Sequence, residues 1–299
     1  MSNDQFKLQN IFNVHGRVAL VTGGGSGIGL MATQALAVNG AKVYITGRSE
    51  EKLARVVERY KQDDDHNNPI PGEIIATPAD ITSKQSISKL VEEISRREEK
   101  LDILINNAGV SSTHHATAEL EDPEALRQEL FHGEASGFEN WESAYRTNVY
   151  QCFLTTTALL PLLSRGSEGS TGWSSTVINI TSISGIIKTA QHHFAYNASK
   201  AAAIHLTRML AHELVSSGLK LRVNNIAPGV FPSEMTTGES DEAQKSHIPK
   251  EKFEGKVPAG RPGKDEDMAS AVLFAATNQY LNGQTIVVDG GYVLSTGTV

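Results

Sequence analysis

Short apolar runs alternate with helix-length segments along most of this chain, and no other feature constrains its fold as tightly. Residues 17–22 (RVALVT), 41–46 (AKVYIT), 73–77, 101–105 (LDILI), 176–180 (TVINI), 221–226 and 285–289 read as strands. Between them, residues 29–39, 50–61, 83–97 and 201–214 carry apolar side chains at helical spacing, such as Leu53, Val56, Val57 and Tyr60. Parallel strands need long crossover connections, and these segments are long enough to supply them. A parallel sheet is covered on both faces, so its strands run almost continuously apolar, as LDILI and TIVVD do. The expected architecture is α/β: a doubly wound parallel sheet of about seven strands with helices on both faces. No repeat or linker divides the 299 residues, so the whole chain reads as one domain.

Three stretches break the alternation. Residues 61–72, with Asp63, Asp64 and Asp65, read as a solvated loop; residues 110–140 and 231–264 are longer and irregular. The last of these follows a strand's carboxyl end, where open α/β sheets bind ligands. Its polar part, residues 233–257, reads as a mobile lid that excludes water from a substrate.

Composition narrows the function classes. A net charge of −7 argues against a nucleic-acid surface, which needs clustered Lys and Arg. A single cysteine, Cys152, excludes an internal disulfide framework and a multi-cysteine metal site. No window approaches the ~18 apolar residues of a membrane helix, and the first residues show no secretory pattern. The expectation is a soluble, cytoplasmic protein with no metal.

Between the first strand and first helix lies Thr22-Gly23-Gly24-Gly25-Ser26-Gly27-Ile28-Gly29. Glycines there permit a tight turn and close backbone approach to a ligand. The following helix start offers free N–H groups and a positive dipole end, suited to a pyrophosphate. The spacing is T-G-x-x-x-G-x-G rather than G-x-G-x-x-G, and the Lys-Ser/Thr ending of a triphosphatase loop is missing. A dinucleotide site on a Rossmann-type domain fits this loop. The residue that reads the adenosine ribose lies ~20 positions on, at the end of the second strand. There the chain reads Thr46-Gly47-Arg48. Gly47 has no carboxylate for two ribose hydroxyls, whereas Arg48 can pair with a 2′-phosphate, so NADP(H) is favoured over NAD(H). The alternative for Arg48 is a solvated charge opening a helix.

Tyr196 and Lys200, in Tyr196-Asn197-Ala198-Ser199-Lys200, are four apart and share one helical face. A nearby ammonium favours a phenolate, so such a tyrosine can pass a proton near neutral pH. Ser182 follows the fifth strand and belongs to the same carboxyl edge, where its hydroxyl can hold a carbonyl oxygen. Ser184 is the alternative. Taken singly, Y-x-x-x-K is a weak signal; combined with the glycine loop and a strand-end serine it is strong.

The combined pattern resembles the short-chain dehydrogenases/reductases over about residues 14–292. Besides the glycine loop, Ser182, Tyr196 and Lys200, the matching landmarks are Asp80, Asn106-Asn107-Ala108-Gly109, Asn148, Pro228-Gly229 and Val288-Asp289-Gly290-Gly291. The resemblance implies hydride transfer between a nicotinamide and a ketone or secondary alcohol, as in carbonyl and 3-oxoacyl reductases. It implies Tyr196 as general acid or base, Ser182 orienting the substrate oxygen, and Lys200 on the nicotinamide ribose. Asn148 would hold a relay water; Asp80 would bond the adenine amino group, beside the Ile81 backbone; the Asn106 run would line the adenosine ribose. The cofactor set is then Thr22, Gly23, Gly25, Ser26, Gly27, Ile28, Gly29, Arg48, Asp80, Ile81, Asn107, Ala108, Gly109, Tyr196 and Lys200, with Pro228, Gly229, Phe231 and Ser233. Asp80 has a plainer reading as a helix opener, Asn107 as a tie between strands, and Asn148 as a mid-helix residue bonding its own backbone.

Two departures stand out. The resemblance implies an aliphatic residue and a threonine after Pro228-Gly229, where this chain has Phe231 and Ser233. The segment before Asn148 is long and holds His114, His115, His132 and Trp141, which read as an extra wall of the substrate pocket rather than as metal ligands. His192 and His193 are further pocket-edge candidates, with plain solvent exposure as the alternative. The resemblance also implies a homotetramer or dimer, with Ala201, Ala202 and Ala203 permitting close packing. A non-catalytic cofactor-binding scaffold is the rival function; an intact Ser182, Tyr196 and Lys200 argues against it.

Overall fold

The computed structural model of the protein describes residues 3–62, 71–117, 120–169, 171–249 and 257–298. Its strands are β1 (Val18–Thr22), β2 (Lys42–Thr46), β3 (Glu73–Ala76), β4 (Ile103–Asn106), β5 (Ser175–Ile180), β6 (Leu221–Pro228) and β7 (Thr285–Val288). They form one sheet in the order β3-β2-β1-β4-β5-β6-β7. Every neighbouring pair is parallel. The order reverses between β1 and β4, which opens a crevice at the strands' carboxyl ends.

The main helices are α1 (Gly27–Val38), α2 (Glu50–Gln62), α3 (Lys84–Arg97), α4 (Phe138–Tyr145), α5 (Gln151–Ala158), α6 (Leu160–Ser167), α7 (Phe194–Ser216) and α8 (Asp265–Thr277). Side chains alternate across each strand, so β1 sends Ala19 and Val21 to one face and Val18 and Leu20 to the other. On the first face they meet Leu36 of α1, Leu53 of α2 and Val272 of α8. On the second they meet Ile94 of α3, Leu163 of α6 and Leu210 of α7. Burying each such side chain stabilises the fold by roughly 1.5–3 kcal/mol. The doubly wound expectation holds.

Some boundaries differ from expectation. β7 is an edge strand and only half-buried, with Val287 exposed, although its sequence reads as a covered run. Residues 110–140 are not wholly irregular: they hold short helical turns at Pro123–Arg127, Gln128–His132 and Glu134–Ser136, and α4 starts at Phe138. Pro123 at the helix start, with Asp122 accepting from the Ala125 N–H, explains the first of these. Residues 63–70 and 250–256, parts of the acidic loop and of the expected lid, lie outside the described residues. The rest of the lid contains a helical turn, Glu234–Thr237, capped by Ser233 and otherwise little regular structure. No helix of the described residues is long and apolar enough to cross a membrane.

Candidate active site

The crevice at the strand-order reversal is a cleft of about 330 Å³. The glycine loop forms one wall through Gly23, Ser26, Gly27 and Ile28. Gly23 and Gly27 have φ of +64° and +51°, values that favour glycine, and the chain can turn from β1 into α1 only through them. A Cβ at Gly29 would lie within 2.8 Å of the Gly23 carbonyl carbon, so that glycine is what lets α1 approach the loop. The i→i−4 series of α1 opens with the Leu30 N–H bonding the Ser26 carbonyl, and the first-turn amides before it belong to the loop side.

Thr22 and Gly25 do not line this cleft. The Thr22 hydroxyl is buried and accepts from the backbone N–H groups of Asn107 and Ala108, at 3.0 and 3.1 Å. In return the Asn107 amide donates to the carbonyls of Thr22 and Gly23. These bonds tie β1 to β4, so Asn107 serves as the strand tie as well as lining the cleft with Ala108 and Gly109. Asn106 departs from the expected ribose wall. It is buried beneath the cleft, bonded to Asn179, Thr155 and Thr156, in a polar ladder that holds β4, β5 and α5 in register.

Arg48, Asp80 and Ile81 line the opposite end of the cleft. Asp80 Oδ1 accepts from both the N–H and the hydroxyl of Thr82, at 2.9 and 2.7 Å. Those two bonds, with a smaller contribution from Arg48, hold its carboxyl below the usual range. Asp80 therefore does not cap α3; Ser83 does, accepting from the Ser86 N–H.

Tyr196 and Lys200 sit on the cleft-facing side of α7. The Lys200 ammonium lies 5.6 Å from the centre of the Tyr196 ring and donates to the Ile180 carbonyl at 3.0 Å. Gly109 fits beside it: a Cβ there would meet Asn148 Oδ1 at 3.1 Å and Lys200 Nζ at 3.5 Å. Asn148 occupies a wide helical turn, Arg146–Tyr150, between α4 and α5. Its side chain does not bond its own backbone but is tied to the cleft-lining Val110 and to Ser199. Nδ2 donates to the Val110 carbonyl and to Ser199 Oγ, and Oδ1 accepts from the Val110 N–H. Both amide hydrogens are thus committed, to the cleft-lining Val110 and to Ser199.

Ser182 follows directly on the cleft-lining Ile180 and Thr181 and is nearly buried, and its Oγ accepts from the Ser184 N–H at 3.1 Å. That leaves its own proton to donate. Pro228, the last residue of β6, and Gly229 after it are not among the residues lining the cleft; a Cβ at Gly229 would meet Asp289 Cα at 2.8 Å, so this glycine lets the two strand ends pack closely. Phe231 is not among the residues that line the cleft. Its ring is buried against Gly263 and joins the α1–α8 core, because a large apolar side chain gains more there than beside a polar cleft. Ser233 does reach the cleft and packs directly on Gly27.

The histidines form a shoulder beside Tyr196. His193 precedes α7, with Nδ1 3.1 Å from the Ser112 carbonyl and its ring 4.0 Å from that of His114 and 6.3 Å from that of Tyr196. His192 Nδ1 lies 2.8 Å from the His115 carbonyl, whose own N–H bonds the His192 carbonyl. Gln191 and His192 both have positive φ, a strained turn that no glycine in the sequence signals. His132 instead lies against Arg127, and Trp141 is part-exposed on α4. Among the described residues, no three His, Cys, Asp or Glu side chains are grouped so as to hold a metal ion. Sequence reasoning also missed Glu234, Met235 and Thr147 in the cleft wall.

A family model described as short chain dehydrogenase matches residues 17–244. The chain is 36% identical over 286 residues to the short-chain dehydrogenase/reductase PhomF of Diaporthe leptostromiformis, covering 94% of this chain and 93% of that protein. It is 37% identical over 285 residues to a rhamnolipids biosynthesis 3-oxoacyl-[acyl-carrier-protein] reductase of Pseudomonas aeruginosa, covering 95% and 98%. Among solved structures, the Pseudomonas aeruginosa RhlG/NADP active-site complex superposes with a TM-score of 0.75 at 35% identity, over 94% of this chain and 98% of that one. Sheet order, cleft and sequence agree: the chain belongs to the short-chain dehydrogenase/reductase family of oxidoreductases.

Proposed function

We propose that this protein is an NADP(H)-dependent reductase of a ketone, with the secondary alcohol as product, and that Tyr196 delivers the proton. The observation that carries the reading is the meeting in one cleft of the glycine loop, Arg48, and the Tyr196–Lys200 face of α7. The donor set suits a phosphorylated dinucleotide: loop amides at a helix start for a pyrophosphate, Asp80 as an acceptor, and Arg48 as a fork for a phosphate. When bound, the nicotinamide supplies the hydride.

The chain's own residues do the rest. Ser182 presents a donor proton to the substrate oxygen. Tyr196 lines the cleft and gives that oxygen its proton. Lys200, anchored on the Ile180 carbonyl, sets the positive charge beside the phenol and faces the cofactor side. Asn148 acts as a positioning residue: through Val110 and Ser199 it holds the β4 loop against α7, and Ser199 in turn bonds the Tyr196 carbonyl. The His114–His193 shoulder forms the substrate-side rim. The 3-oxoacyl reductase name of one relative makes β-ketoacyl compounds the first substrates to try.

The test is to mix the protein with NADPH and a panel of ketones, including β-ketoacyl thioesters, and follow the nicotinamide absorbance. Tyr196→Phe should lose turnover by a factor of about 10² or more while its NADPH affinity stays unchanged. Turnover retained in that variant refutes the role of the phenol.

A further inference from the structure

The cleft contains an anion of its own. Glu234, at the start of the Glu234–Thr237 turn, lines the cleft, and its Oε1 lies 2.6 Å from Lys52 Nζ on α2. The Ser240 hydroxyl donates to the same oxygen at 2.6 Å. Ser26 occupies the N-cap position of α1, yet its side chain makes no capping bond there. Lys52 in turn lies against the glycine loop, its Cβ 3.9 Å from where a Cβ on Gly25 would stand. Ser233 closes the contact by resting on Gly27. Lys52 and Glu234 thus bridge two segments 182 residues apart, over the loop expected to hold the cofactor's phosphates.

We propose that Lys52 is a second selector of the phosphorylated cofactor, held in reserve by Glu234, and that it exchanges the Glu234 carboxylate for the 2′-phosphate when NADP(H) binds. The proposal rests on the NADP(H) reading above. Arg48 lines the cleft two residues before α2, and Lys52, in the first turn of that helix, reaches the cleft-lining Glu234. A phosphate monoester carries a charge of about −1.5 to −2 at neutral pH, more than the single charge of a carboxylate. The exchange is therefore favourable for a 2′-phosphate. NADH offers Lys52 no such group, and the bridge to Glu234 stays closed. Lys52 thus adds to the discrimination that Arg48 sets, and Glu234 tempers that addition by competing for the same ammonium.

Binding, not turnover, tests this. Dissociation constants for NADPH, NADH and adenosine 2′,5′-bisphosphate are measured for the wild type, Lys52→Met, Glu234→Gln and the double variant. Lys52→Met should weaken NADPH and the bisphosphate about tenfold, the scale of one charge-assisted bond, and leave NADH within twofold. Glu234→Gln, which frees Lys52, should tighten NADPH and the bisphosphate several-fold, and that gain should vanish in the double variant. Equal effects on NADPH and NADH, or a Glu234→Gln gain that survives without Lys52, overturn the exchange while leaving the cofactor reading intact. A wild type that binds NADH as tightly as NADPH overturns the cofactor reading itself, and the exchange with it.

Discussion

Gly185 offers a direct test of how the catalytic segments are held together. It ends the turn that carries Ser182, and it packs on the backbone of α7 at Lys200 and Ala201. A Cβ at Gly185 would stand 2.6 Å from both the Ala201 nitrogen and the Lys200 carbonyl carbon. Ordinary contact begins near 3.4 Å, so Gly185→Ala must part the Ser182 turn from α7 by about 0.8 Å. Both contacts are backbone, so no flexible side chain can absorb the strain. Overpacking of this kind costs about 1–3 kcal/mol of stability. Misplacing reacting groups by 1 Å costs about 10²-fold in rate. The variant should therefore lose between one and two orders of magnitude in kcat on any ketone the wild type reduces. Adenosine 2′,5′-bisphosphate affinity should not change, because Gly185 is remote from the adenosine end. The assay pairs steady-state kinetics with urea unfolding. A Gly185→Ala enzyme with kcat within twofold of wild type would show that Ser182 and Lys200 need no fixed separation, and the geometric argument for the site would fall.

Other expectations follow from the same geometry. Arg48→Asp should shift the NADPH/NADH preference toward NADH by about tenfold or more, read from the two dissociation constants; an unchanged ratio removes Arg48 as the 2′-phosphate ligand. Arg222 is buried, with its pKa pushed down to about 10 by that burial, and it donates to the carbonyls of Ala275, Ala276, Asn278 and Ser174. Arg222→Met leaves those acceptors bare and should cost about 3 kcal/mol or more in urea unfolding; a loss under 1 kcal/mol would mean water replaces the guanidinium. His193 has its pKa lowered by burial and then by His114 and His192, against the Ser112 carbonyl bond, and Tyr196 is its other ring neighbour. The unfolded chain therefore takes up this proton first, near pH 6.5, so stability falls as pH drops from there through the lower folded value. His193→Gln should flatten Tm against pH between 5 and 7; an identical slope assigns the acid sensitivity elsewhere.

Much of the fold was legible because the signals are periodic and local. Alternation of short apolar runs with amphipathic segments dictates a parallel sheet with covered faces, whatever lies in the loops. The glycine loop and the Tyr196–Lys200 spacing are equally local: a turn with positive φ demands glycine, and four residues make one helical turn. Tertiary structure decided what two distant segments do when they meet. Phe231 entered the core rather than the cleft because Gly263 left room for its ring. Thr22 takes its hydrogen bonds from the end of β4, and Gly229 packs on Asp289 after β7, both partners far away in sequence. Asn148 spent its amide on Val110 and Ser199. The Lys52–Glu234 bridge had no sequence signal at all, because no period links residues 182 positions apart and a lone Lys or Glu reads as a solvated charge. Chain-local rules thus set which elements form and which residues can carry the chemistry. Only the packing of loops over the sheet's carboxyl edge determined which of those residues share a wall.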